Sequence, residues 1–120
     1  VIIAQIDLEE QQWMDSILNF ERVIDEFPDS KYLPGSLYGL CLSYYKKEEY
    51  NKAFDTGERY LTSFPDGTFT CDILYITAIS QQELGNTDEA SRRYEQIVSN
   101  CSDSTYADSA QEQLDYIKSL

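Results

Sequence analysis

A chain of 120 residues has the length of one domain, and an apolar share of 42% supplies a continuous core provided that neighbouring units stack. The balance of 9 basic against 22 acidic residues leaves a net charge of −13, which repels phosphate backbones and anionic lipid headgroups and argues against nucleic acid as a partner. Histidine is absent, so the commonest general base and the commonest transition-metal ligand are both missing.

Apolar residues recur at helical spacing through nearly all of the chain, as in Ile17, Phe20, Val23, Ile24 and Phe27, where gaps of three and four draw one stripe along one face. Strand-like alternation is missing, so the pattern predicts an all-α protein. In chain order the helices fall at about 1–10, 13–27, 33–47, 50–64, 69–85, 88–100 and 105–119, seven in all, with ends good to roughly two to four residues. Pro28 stops the second of these, and Asp29 follows as a turn or capping residue. Pro34 sits near the start of the third, where a missing amide hydrogen costs nothing. Pro65 ends the fourth, with Asp66 behind it. Gly85-Asn86 supplies a positive-φ turn after the fifth, and Thr87 or Asp88 can cap the sixth. Asp103 precedes the last. Consecutive helices are expected to pair as antiparallel hairpins.

No stretch approaches the ~20 apolar residues that a bilayer crossing needs. The chain opens at Val1-Ile2-Ile3 without a methionine, as a processed or excised segment would. The glycines and prolines form no low-complexity linker, so a single array is expected over 1–120.

The array repeats. Trp13, Tyr50 and Thr87 open three stretches spaced 37 residues apart; Phe20, Gly57 and Tyr94 follow in register. Phe27-Pro28-Asp29-Ser30, Phe64-Pro65-Asp66-Gly67 and Cys101-Ser102-Asp103-Ser104 close them. A period of this size means stacked units, each covering its neighbour's apolar face. The units run at about 1–30, 31–67 and 68–104, with a capping helix over 105–120.

The second unit reads Leu37-x2-Leu40-Cys41-x2-Tyr44-x8-Ala53-x3-Gly57-x2-Tyr60-x4-Pro65, and this resembles the tetratricopeptide repeat (TPR). Leu74, Ala78, Ala90, Tyr94 and Ile97 fit the same pattern in the third unit. Small residues such as Ala53, Ala78 and Ala90 let paired helices approach closely, while Tyr60 and Ile97 fill the space toward the next hairpin. Gly57 replaces the family's aromatic residue and Ser102 its closing proline. Each unit is three residues longer than the usual ~34, and the longer link with its Phe-Pro-Asp-Ser-x-Tyr wording is similar to the bacterial envelope branch. That branch holds the BamD/YfiO-type outer-membrane assembly lipoproteins and the TolA-binding periplasmic proteins. The resemblance implies a right-handed superhelix of hairpins, a periplasmic or outer-membrane-associated location, with a cytoplasmic one as the alternative, and a lipid-anchored parent; no cofactor is expected.

In such a stack the first helix of each hairpin lines the concave side. With Ala53 and Ala90 as register marks, the concave positions are Gly35, Tyr38, Leu42, Tyr45 and Lys46, then Asp72, Tyr75, Ile79, Gln82 and Glu83, extended by Leu8 upstream and by Glu112 and Tyr116 downstream. The result is an aromatic groove with an acidic rim. Tyr38, Leu42, Tyr45, Tyr75, Ile79 and Gln82 are the expected partner-binding residues, suited to an apolar or aromatic peptide helix carrying some basic residues. Tyr44, Tyr50, Tyr60 and Tyr94 read as packing residues. The family's peptide-carboxylate clamp needs Lys and Asn where Tyr38 and Leu42 stand, so that site is absent.

Of three cysteines, Cys41 takes a small-residue position and reads as a buried, inert thiol. Cys71 opens one helix of the third hairpin and Cys101 ends the other, so antiparallel pairing brings them near each other. Either they form a disulfide in an oxidising compartment or they remain free thiols. Asn100-Cys101-Ser102 matches a glycosylation sequon, which matters only in a eukaryotic secretory protein. Asp66, Thr68, Thr70 and Asp72 alternate like a calcium loop but lack its glycine and closing glutamate. Paired acids such as Glu9-Glu10 and Glu48-Glu49 read as solvated charge.

These features point to a non-catalytic scaffold that holds a partner polypeptide on its concave side. Two alternatives remain: an accessory domain of a larger envelope enzyme, such as a peptidoglycan-cleaving protein, and a self-assembly module dimerising through Val1, Ile2, Ile3 and Ile6.

Overall fold

The computed structural model describes the backbone of residues 2–120 and the side chains from Glu9 onward. The self-assembly role expected of Val1, Ile2, Ile3 and Ile6, and the place of Leu8 in the groove, therefore lie outside the described residues. Among those described there are six helices and no strand: α1 (Ile2–Glu26), α2 (Leu33–Lys46), α3 (Tyr50–Ser63), α4 (Thr70–Glu83), α5 (Thr87–Asn100) and α6 (Tyr106–Ser119). The first two expected helices are one, so six stand where seven were predicted. No Gly or Pro lies between Ile2 and Glu26, and Glu9-Glu10-Gln11-Gln12 are all good helix formers, so local propensity carries the helix through.

The links repeat bond for bond. At the end of each outer helix the amide of Ser30, Gly67 or Ser104 donates to the carbonyl of Phe27, Phe64 or Cys101, three residues back. Leu33, Thr70 and Ala107 then donate to Ser30, Gly67 and Ser104. Asp29, Asp66 and Asp103 occupy these turns but cap no helix, because the helices begin later, after Tyr32, Phe69 and Thr105. The hairpin turns repeat too. Glu48 and Glu49 donate to Tyr45 and Tyr44, Gly85 and Asn86 to Gln82 and Gln81, with Glu48 at φ 63° and Gly85 at φ 85°. That is a Schellman closure with its left-handed residue, filled once by glycine and once by glutamate. Neither Thr87 nor Asp88 caps α5; the N-cap is Asn86, whose amide instead donates to Gln81 Oε1 at 2.7 Å.

Each helix packs on the next, and α2 also touches α4 as α4 touches α6, whereas α1, α3 and α5 do not touch one another through their backbones. Helices that meet directly line the shorter side of a curved stack, so α2, α4 and α6 form its inner wall and α1, α3 and α5 its outer one. Outside, α3 and α5 are linked by a long side chain: Arg93 pairs with Glu58 and lies 5.2 Å from the Phe54 ring centre.

The core follows the small-residue positions. Cys41, Ala53, Ala78, Ala90 and Ala110 are fully buried, as are the rings of Tyr60 and Tyr94. The register at Phe20, Gly57 and Tyr94 shows volumes traded across the interface. Phe20 of α1 is accommodated by Gly39 of α2, where an added Cβ would meet the ring. One period on the sizes are reversed: Gly57 makes room for Thr77, with Ile73 and Cys41 beside it. The aromatic that the repeat pattern wants at 57 is absent because α4 already fills that space.

Cys71, in the first turn of α4, and Cys101, which caps the end of α5, are joined by a disulfide with their Cα atoms 6.0 Å apart. Cys41 is free and buried, and burial pushes its thiol up to about 12.

Gly39→Ala should destabilise the protein, since overpacking costs about 1–3 kcal/mol and better helix propensity returns only up to about 1 kcal/mol. Combining it with Phe20→Leu should restore most of the loss in denaturant titration. Thiol titration in denaturant without reductant should find one group per chain, silent in the native protein. Reducing the 30-residue bridge should lower stability by about 2–4 kcal/mol in the same titration.

Candidate functional site

The inner wall is built by α2, α4 and α6. Tyr38, Leu42 and Tyr45 lie at successive turns of α2; Tyr75, Ile79 and Gln82 hold the same register one period later on α4, and all six are half-buried. None is a free surface side chain. Tyr38 stacks face to face on Phe69, with ring centres 4.7 Å apart and planes at 9°. Tyr75 packs on Tyr106 at 4.8 Å and meets Tyr94 edge-on at 6.3 Å. Tyr45 tilts against Tyr50 at 6.0 Å. Leu42 and Ile79 lie against the two core clusters. The wall thus presents the outer parts of rings whose inner parts hold the hairpins together.

Polar groups fix these rings. Tyr106 donates its hydroxyl hydrogen to Asp72 Oδ1. Tyr94 donates to Gln82 Oε1 at 2.6 Å, and the amide of Gln82 donates to Gln113 Oε1 at 3.1 Å, tying α4 to α6. The buried Tyr60 hydroxyl accepts the Phe69 amide at 2.8 Å, satisfying a backbone donor at the head of α4. Two carboxylates border the cluster. Asp72 raises the phenols of Tyr106, chiefly through its hydrogen bond, and of Tyr38, where burial is the larger cause. At the other end Tyr45 is raised by burial and then by Glu83, and Tyr94 by burial and then by Tyr75, Tyr45 and Glu83. Ionising Tyr38, Tyr45, Tyr94 or Tyr106 is thus opposed by burial and by neighbouring groups.

Of the remaining expected positions, Gly35 is half-buried with Phe69 beside it, while Lys46, Glu83, Glu112 and Tyr116 are exposed. Tyr44 donates to Glu21 at 2.5 Å, joining α2 to α1. Phe69 and Tyr106 were missed as members of the wall. They stand just before or at the start of the inner helices, and the signal was present: Tyr32, Phe69 and Tyr106 are one aromatic repeated at the 37-residue period. The loop that alternates like a calcium site has other partners, since Thr70 donates to Phe64 and Asp72 receives Tyr106. Among the described residues no group of three His, Cys, Asp or Glu side chains could hold a metal.

A curved stack of helical hairpins with a tyrosine-rich inner wall belongs to the class of repeat proteins that present an extended surface. Specifically, the chain belongs to the YfiO family of outer membrane lipoproteins, whose model matches residues 3–120. It is similar to the outer membrane protein assembly factor BamD of Pasteurella multocida (strain Pm70), 23% identical over 134 aligned residues that cover 97% of this chain and 52% of the relative. The chain therefore spans about half the length of the curated relative that it matches. Membership of this family associates the protein with the outer membrane and its periplasmic side. Among the described residues no helix is long and apolar enough to cross a membrane.

The raised phenols set a pH dependence. A group whose folded pKa is raised contributes stability that is present below its unfolded value, about 10 for tyrosine, and lost as pH rises through the folded value. Thermal melts followed by circular dichroism should hold level to about pH 10 and fall above it. Tyr106→Phe should make that fall shallower.

Proposed function

We propose that this chain is a non-catalytic scaffold segment that holds a partner polypeptide along its inner wall, at Tyr38, Leu42, Tyr45, Tyr75, Ile79 and Gln82. The observation that carries the reading is the half-exposed ladder of tyrosines on α2 and α4, bordered by Asp72 and Glu83 and joined to the chain's acidic excess. Tyrosine offers a rigid apolar face at low entropic cost and a hydroxyl still able to hydrogen-bond, which suits protein recognition. The rings are already positioned by Phe69, Tyr94 and Tyr106, so little ordering cost attends contact. An apolar or aromatic helix with basic residues matches both the rings and the carboxylates.

The process is assembly of outer-membrane proteins. The relative's name, an assembly factor of that kind, supports this reading, as does the outer membrane lipoprotein family. The segment needs no cofactor and carries no reaction of its own; partners in the envelope supply whatever chemistry the complex performs.

A photo-crosslinking residue at position 42 or 79 should trap an envelope protein in the full-length protein. Tyr38→Ala with Tyr75→Ala should weaken that capture at least about tenfold, or ~1.4 kcal/mol, while the helical signal persists. Both rings also pack internally, so Leu42→Lys with Ile79→Lys serves as a second test that keeps them and repels a basic guest. Undiminished capture by both variants would move the binding surface elsewhere.

A further inference from the structure

The inner wall carries acid at both ends, and the two ends differ in what they already hold. At the head of α4, Asp72 is half-buried and accepts the hydroxyl hydrogen of Tyr106. At the opposite end, Glu48 in the first hairpin turn and Glu83 at the close of α4 are exposed. Among the described residues neither of their side chains pairs with a lysine or an arginine. The nearby lysines are placed elsewhere: Lys47 and Lys52 both pair with Glu49, and Lys46 lines a separate cavity with Trp13.

Two tyrosines accompany these carboxylates. Tyr45 and Tyr50 tilt against each other at 57° with ring centres 6.0 Å apart, and both are half-buried. Tyr50 and Glu48 also line a cavity of about 270 Å³, together with Leu84, the residue after Glu83. Burial and then Glu83 raise the Tyr45 phenol; burial, then Glu48 and Glu83, raise that of Tyr50. Both carboxylates therefore lie close enough to act on the ring pair.

The turn itself needs none of these groups. One period later the same Schellman closure is made with Gln82, Gly85 and Thr87 in the places of Tyr45, Glu48 and Tyr50. Glycine suits the left-handed position, and Glu48 occupies it at φ 63° against its own preference. Aromatic surface and negative charge have thus been added to the first turn beyond what closes a hairpin.

We propose that Tyr45, Tyr50, Glu48 and Glu83 form a cation subsite that takes an arginine side chain of the guest polypeptide. The inference rests on the reading of the inner wall as a binding surface, and it gives the guest a direction. The basic residue sits at the turn end, and the apolar stretch runs from there over Leu42 and Ile79 toward Tyr38 and Tyr75. A flat guanidinium can lie on a tyrosine face while its N–H groups reach carboxylates beside it, a combination that the point charge of lysine meets less fully. Asp72 is the weaker competitor, with one oxygen already committed to Tyr106.

The test titrates N-acetyl-arginine methylamide into the full-length protein and follows it by NMR, with the uncharged N-acetyl-citrulline methylamide as control. Saturable millimolar binding that shifts Glu48, Tyr50 and Glu83, and is missing with citrulline, is the expected result. Glu48→Gln with Glu83→Gln should weaken it at least about fivefold; both side chains are exposed, so the fold tolerates the change. Glu48→Gly should weaken it too, while raising the unfolding temperature, because glycine relieves the left-handed backbone. An absence of saturable binding, shifts centred on Asp72 and Tyr38, an equal response to citrulline, or an unchanged affinity in the double variant would each overturn the subsite. Crosslinking from position 42 or 79 reads the wall separately. A partner still trapped by a protein that ignores arginine would leave the scaffold standing without this subsite, whereas arginine binding with no trapped partner would fail the scaffold alone.

Discussion

The stack depends on an aromatic pair repeated between consecutive hairpins: Phe69 at the head of α4 lies flat on Tyr38 of α2, and Tyr106 at the head of α6 lies on Tyr75 of α4. A two-helix hairpin of this length buries too little surface to be stable alone, so what fixes its angle to the next also decides whether it folds. Offset or tilted rings at these separations add about 0.5–1.5 kcal/mol beyond the area they hide. Because the pair sits on the inner side, it draws α2, α4 and α6 together and leaves α1, α3 and α5 apart, and curvature follows.

The same contacts make the proposed binding wall. The rings available to a guest are the ones already holding the hairpins, so the surface is preorganised by the fold's own requirements. Its polar edges are equally committed: Asp72 receives the Tyr106 hydroxyl hydrogen and Gln82 that of Tyr94. Tyrosine is uncharged at neutral pH, and burial and the nearby carboxylates raise the phenols of Tyr38, Tyr45 and Tyr106 further still. The acidic character of the surface comes from the rim and from the chain's net charge of −13. In the proposed function, specificity would come from ring placement, and attraction over distance from the surrounding acids.

Much of this was legible in the residues because a 37-residue period repeats each signal three times. The all-α class, the hairpins, the stops at Pro28 and Pro65 and the positive-φ glycine at Gly85 all rest on local physics that survives folding. What escaped depended on a partner in space. The break expected after residue 10 is absent because nothing local enforces it; only a neighbouring face could, and Gln11 has no glycine to announce a turn. Glu48 escaped for the same reason, its left-handed backbone set by the Schellman closure and not by its own preference. Phe69 and Tyr106 were readable as a periodic aromatic but not as stacking partners, since the ring each one meets lies more than thirty residues earlier in the chain.

The sulfur bridge between the head of α4 and the tail of α5 changes how the molecule carries load. Tension drawn between the two ends of the chain passes through the two sulfur atoms and skips the helices they enclose, so those helices stay slack while the others unravel. The fully stretched molecule is shorter by about 100 Å than its residue count suggests, at roughly 3.5 Å for each bypassed residue. The third hairpin is therefore the part of the array that bears no load when the chain is pulled from its ends.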